Sequence, residues 1–188
     1  MSRRGCALLG CLGLSAFCLG ISGAQPPGRG PAAQARARGA AAPQQVYATL
    51  AQLMRGTLYP SSNIIFAAQD QNPQDVPQAK DPSVAVNLLA SSYGKWDAVE
   101  NSALALAEVA NLLVLPGRKC SNGRDVPIQN ADWPKFVQGL REAGMAVYKA
   151  AQSKNQDNIL MAAETMTNAC SACHDKYREK PSLADRCK

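Results

Sequence analysis

The stretch from Trp96 to Leu113 limits the fold more than any other part of this chain. Trp96, Val99, Ala103, Leu106, Ala110 and Leu113 recur at alternating intervals of three and four residues, the spacing that puts apolar side chains along one seam of an α-helix. Pro116-Gly117 stops the pattern. No alternating polar and apolar run elsewhere reads as a strand, so the chain is expected to be all-α.

Three more segments carry the same period. Tyr47, Leu50, Leu53, Met54 and Leu58 give a first apolar face after Pro43, with Pro60 expected to interrupt or kink it before Ile64, Ile65 and Phe66 resume. Phe136, Val137, Leu140, Gly144, Val147, Tyr148 and Ala151 give a third, for which Asp132 is the candidate cap. A last helix is expected from Ile159 to Lys180, closed by Pro181. Residues 69–83 hold Pro73, Pro77 and Pro82 and read as a long loop, followed by a short locally helical piece at 84–92. Few aromatics and an excess of Ala suit helices that pack closely. The expected architecture is an antiparallel four-helix bundle over residues 44–180, with a tail at 181–188.

Residues 1–24 read as a cleaved secretory signal peptide. Arg3 and Arg4 form its basic end, 7–21 its apolar part and Ser22-Gly23-Ala24 its cleavage site. Residues 25–43, rich in Gln, Pro, Gly, Ala and Arg, have no apolar period and read as a disordered linker. Loss of Arg3 and Arg4 lowers the formal charge of +6 to about +4, thinly spread, which gives no reason to expect a nucleic-acid partner. Of seven cysteines, Cys6, Cys11 and Cys18 fall in the leader. Cys120 and Cys187 can pair in an oxidising compartment if their Cα atoms approach within about 7 Å; otherwise they are two free thiols.

Cys170, Cys173 and His174 stand at i, i+3 and i+4 in the run CSACH. On a helix these positions share a side. Two thiols can join a porphyrin edge as thioethers while the imidazole reaches iron, which is the c-type haem attachment pattern. A redox dithiol, half of a zinc site, and chance are the competing readings. The first usually sits at a helix start beside a βαβ unit, and the second needs Cys120 or Cys187 to complete it. On the haem reading the chain carries one covalently bound haem c.

His174 is the only histidine, so one chain cannot give iron two imidazoles. The sixth position falls to Met, Lys, water or nothing. Met161 and Met166 share the helix of His174, and Met145 lies on the third helix; Met54, on the first, is the best placed candidate. In an up-and-down bundle it lies at the depth of His174, with core filling as the alternative role.

With the motif on the last of four helices, the chain resembles the class II c-type cytochromes, cytochrome c-prime and its low-spin six-coordinate relatives. The resemblance covers about residues 44 to 180. It is carried by CSACHDKYREK at 170–180 and by AQLMRG at 51–56. It implies that Met54 falls where low-spin members place their methionine ligand and high-spin members an apolar residue over open iron. It also implies that Arg178 is the basic residue beside the proximal imidazole, able to tune the iron or meet a propionate. Leu50 stands where the family usually has a basic residue, and Pro60, the long loop before Trp96 and the pair Cys120 and Cys187 also depart from its pattern.

The expected function is one-electron transfer by an exported, periplasmic cytochrome with a redox partner protein. The alternative is a five-coordinate iron that binds a small gas, nitric oxide by the resemblance. Enzymatic peroxide turnover is not expected, because no second histidine can act as a distal acid-base group. Pairing of two chains into a homodimer, through the first two helices, is left open.

Overall fold

A computed structural model describes residues 44–180 and 182–187. The expected signal peptide and linker lie outside the described residues, as do Pro181 and Lys188. Among the described residues every extended element is helical: α1 (Leu50–Leu53), a π-helical turn (Met54–Leu58), α2 (Tyr59–Asp70), α3 (Lys95–Val109) running on as a 3-10 turn (Ala110–Val114), α4 (Trp133–Ser153) and α5 (Gln156–Tyr177). No strand occurs among them beyond an isolated bridge between Lys119 and Asp125. The chain is all-α.

The first helix starts later than its apolar pattern suggests. Tyr47 is exposed outside it, and Thr49 begins it through a reciprocal cap in which the Gln52 N–H donates to Thr49 Oγ1 and the Thr49 N–H donates to Gln52 Oε1. Pro60 does not break it. Leu58 and Tyr59 keep right-handed helical angles, and the Tyr59 N–H reaches back five residues to the Met54 carbonyl. The widened turn lets the proline ring in without the clash and lost donor that it would cause in a regular helix. Residues 50–70 are therefore one continuous helical run.

The Trp96 seam is buried along its whole length, as are Val137, Leu140, Val147 and Ala151 of α4 and Ile159, Ala163 and Met166 of α5. The helices contact one another in a closed order: α2 against α3, α3 against α4, α4 against α5, and α5 against α2. The α3–α4 approach is close because of Gly144, where an added Cβ would lie 3.0 Å from the Ala103 carbonyl oxygen and 3.1 Å from the Ala107 nitrogen. A side chain there would push two backbones apart.

Three local readings change. The locally helical piece at 84–92 narrows to a 3-10 turn at Leu88–Ala90, with another at Pro82–Val84 on the edge of the preceding loop. Asp132 occupies the cap position of α4, but its carboxylate does not cap. It accepts from Tyr177 Oη at 2.6 Å and pairs with Lys176. The last helix begins at Gln156, capped by Asn155, and ends at Tyr177, before Pro181 is reached. It stops there because the tail turns back: the Cys187 N–H donates to the Tyr177 carbonyl at 2.9 Å and Cys187 is bonded to Cys120, with Cα atoms 4.9 Å apart.

Candidate functional site

The first helix lines a cavity in an unusual rhythm. Leu50 and Ala51, Met54 and Arg55, Leu58 and Tyr59, Ser62 and Asn63, and then Phe66 all face it, a strict repeat of four. In a regular helix each step of four over-rotates by about 40°, so four steps would carry the face about 160° away. The extra residue of the π turn removes about 100° of that drift. The sequence folds this way locally because Pro60 follows immediately, and Met54 sits at the start of the widened turn.

The cavity has a volume of ≈ 470 Å³, within the range of small-molecule and cofactor sites. Trp133, Phe136, Val137 and Leu140 of α4, with Leu106 and Leu113, form an apolar wall. From α5 come Cys170, Cys173, His174 and Tyr177, followed by Arg178 and, from the tail, Cys187. Every site residue expected from the sequence, Met54 included, therefore lines one cavity. The other methionines among the described residues do not: Met166 is in the core, and Met145 and Met161 are exposed.

Electrostatics follow from burial. Cys170 and Cys173 are free thiols. Burial pushes Cys170 up, and burial, with Cys170 and Asp132 nearby, pushes Cys173 up to about 11. A dithiol redox centre needs the opposite shift, toward thiolate. Burial lowers His174, and the positive Arg178 lowers it further, so at neutral pH the imidazole keeps a free lone pair for a metal. Arg178 is tied to Glu179 by an ion pair, and both backbone N–H groups donate to the His174 carbonyl, at 2.8 and 2.9 Å. A zinc site completed by Cys120 or Cys187 does not fit, because those two sulfurs are bonded to each other. Among the described residues no three His, Cys, Asp or Glu side chains converge as a metal cluster of their own.

Tyr177 was not singled out as a site residue. It packs edge-on against Trp133 and Phe136, with ring centroids 5.1 and 6.2 Å apart, and its hydroxyl donates to Asp132 while accepting from Asn130 Nδ2 at 3.1 Å. Those contacts fix the last turn of α5 against α4. Two signals pointed to it, its place in the run CSACHDKYREK that carries the family resemblance and its position three residues after His174 on the same helical side.

Among protein-family models, curated proteins and solved structures, none matches this chain.

Proposed function

We propose that the chain is an exported c-type cytochrome, an antiparallel four-helix bundle of the class II kind with its haem motif on the last helix, and that it carries single electrons in the periplasm. One observation carries the reading: Cys170, Cys173 and His174 meet Met54, from a different helix, on a single apolar cavity of cofactor size. When bound, haem c supplies reversible one-electron iron chemistry. Cys170 and Cys173 would tether it through thioethers and the neutral His174 imidazole would hold the iron from one side. The aromatic and aliphatic wall from α4 excludes water, and the carbonyl contacts of Arg178 and Glu179 fix the turn that bears His174.

Export is supported by the leader-like residues 1–24 and by the Cys120–Cys187 bond, which persists in oxidising compartments. Among the described residues no helix is long and apolar enough to cross a membrane.

Met54 would be the second side chain to hold the iron. The alternative, a five-coordinate gas-binding iron, is favoured by the two leucines that flank Met54 on the same face, Leu50 and Leu58, which could cover an open iron without ligating it. The test is a spectrum of protein matured with haem. Haem should resist acid-acetone extraction, and Cys170→Ala with Cys173→Ala should abolish that resistance. The ferrous form should be low-spin and indifferent to carbon monoxide, and Met54→Ala should convert it to a high-spin, carbon monoxide-binding form. Extractable haem would remove the cytochrome reading; a high-spin native spectrum would remove the ligand role of Met54.

A further inference from the structure

Tyr177 and Cys187 line a second cavity as well as the first. This second space, ≈ 430 Å³, lies toward the tail and carries charged side chains at its wall, Arg124, Lys176, Lys180 and Arg186 against Asp125 and Asp185. Its carboxylates are already matched: Asp125 pairs with Lys119 at 2.6 Å and Asp185 with Arg124 at 3.3 Å. Lys176 is bound to Asp132. Among the described residues Lys180 and Arg186 have no carboxylate at ion-pair distance; Arg186 Nε instead donates to the Lys180 carbonyl at 2.5 Å.

The way the tail is held supplies an independent argument. Asn122 Nδ2 donates to the carbonyls of Ala184 at 2.9 Å and Arg186 at 2.8 Å, and Arg124 Nη1 to that of Ala184 at 3.1 Å. The Cys120–Cys187 bond anchors the same segment. Core formation does not explain these restraints, because Leu183, the one large aliphatic side chain of the tail, is exposed. What they do fix is the backbone that bears Arg186, whose guanidinium meets the Lys180 carbonyl and lies near enough to Glu179 to lower its carboxyl, while Lys180 stands beside it without a carboxylate at ion-pair distance among the described residues. Groups held in their binding arrangement beforehand lose less entropy when a ligand arrives.

We propose that this pocket is the docking site for an acidic redox-partner protein, whose carboxylate side chains seat between Lys180 and Arg186 with Tyr177 and Cys187 as the wall shared with the cofactor cavity. The assignment of the partner as a redox protein rests on the electron-carrier reading. The exchange it serves is minimal: the carrier loses one electron, the partner's centre gains it, and no bond or proton moves. Fixed positive charge speeds the encounter with an anionic partner and loses effect as salt rises.

The test uses the full matured protein and the double variant Lys180→Glu with Arg186→Glu, beside a control, Lys80→Glu with Lys149→Glu, which changes charge equally at exposed positions outside both cavities. Hexaglutamate should bind the native protein and the control saturably at low salt, and bind the pocket variant at least about tenfold more weakly. Oxidation of the reduced protein by anionic ferricyanide should slow several-fold in the pocket variant alone, oxidation by cationic tris(phenanthroline)cobalt(III) should quicken, and both differences should vanish in concentrated salt. Equal slowing in the control, or no peptide binding, overturns the proposal. A protein without haem would fail in the ferricyanide arm yet still bind the peptide in the native form, so loss of the cytochrome reading is distinguished from loss of the anion site.

Discussion

The two long connections of this protein, 71–94 between α2 and α3 and 115–132 between the end of α3 and α4, are held in opposite ways. The first is hydrogen-bonded mostly within itself, although Val76, Leu89 and Ala90 reach the core and Lys95 Nζ donates to the Gln74 carbonyl. Asn72, Asp81 and Asn87 each accept from the N–H two residues on to start a short 3-10 turn, and Val84, Val86 and Tyr93 are left exposed. The second is tied to distant parts of the chain. Buried Arg118 donates to the carbonyls of Ala48 and Leu112, the Leu50 N–H donates to Lys119, Cys120 is bonded to Cys187, and Asp132 holds Tyr177 and Lys176. Long-range restraint is concentrated where the cavity is, as a site needing fixed geometry requires.

If that contrast is right, damage to the second connection should be felt far more than damage to the first. The largest effect is expected from Cys120→Ser with Cys187→Ser, which frees a loop with a sequence separation of 67 and should lower stability by ~4 kcal/mol, read in chemical denaturation. Arg118→Met comes next. It leaves the Ala48 carbonyl without its Arg118 donor and the Leu112 carbonyl with only the long 3.5 Å contact from the Leu115 N–H, in a half-buried setting, a loss of about 2 kcal/mol by the same measurement.

Asp132→Asn should do less, with a pH signature. Hydrogen bonds from Lys176 and Tyr177 hold the Asp132 carboxyl below its ordinary value of 3.8. A folded-state value below the unfolded one stabilises above the unfolded value and is lost as pH falls through the folded one. The variant should therefore be the less stable protein at pH 7, and the gap should close in acid, below the ordinary carboxylate range. The smallest effect belongs to the first connection: Val86→Ser, at a fully exposed side chain, should shift stability by no more than about 0.5 kcal/mol. A drop as large as that of Arg118→Met would erase the distinction between the two connections.

The helices were legible because burial obeys the periods in the sequence: each member of the Trp96 seam is buried, and Cys170, Cys173 and His174 share one side of α5 as their spacing requires. The Thr49–Gln52 capping box starts the first helix two residues after Tyr47, where the apolar pattern begins. Other features depend on contacts between residues far apart in sequence. Nothing local marks Arg118 as buried, since an arginine in a turn is ordinarily solvated, and its partners lie 70 and 6 residues away. Asp132 looked like a cap because it precedes a helix; Tyr177, 45 residues on, engages its carboxylate instead. The pairing of Cys120 with Cys187 was a matter of distance, which only the fold supplies.

The π turn has a consequence for how this chain relates to others. A protein with an ordinary first helix and the same cavity-facing residues would be one residue shorter between Met54 and Leu58. Placing the two in register would need a gap inside a helix, where insertions and deletions are least expected. Aligned without that gap, the chains would agree on one side of the turn and be offset by one residue on the other, and Met54 and Phe66 could not both be matched to their counterparts.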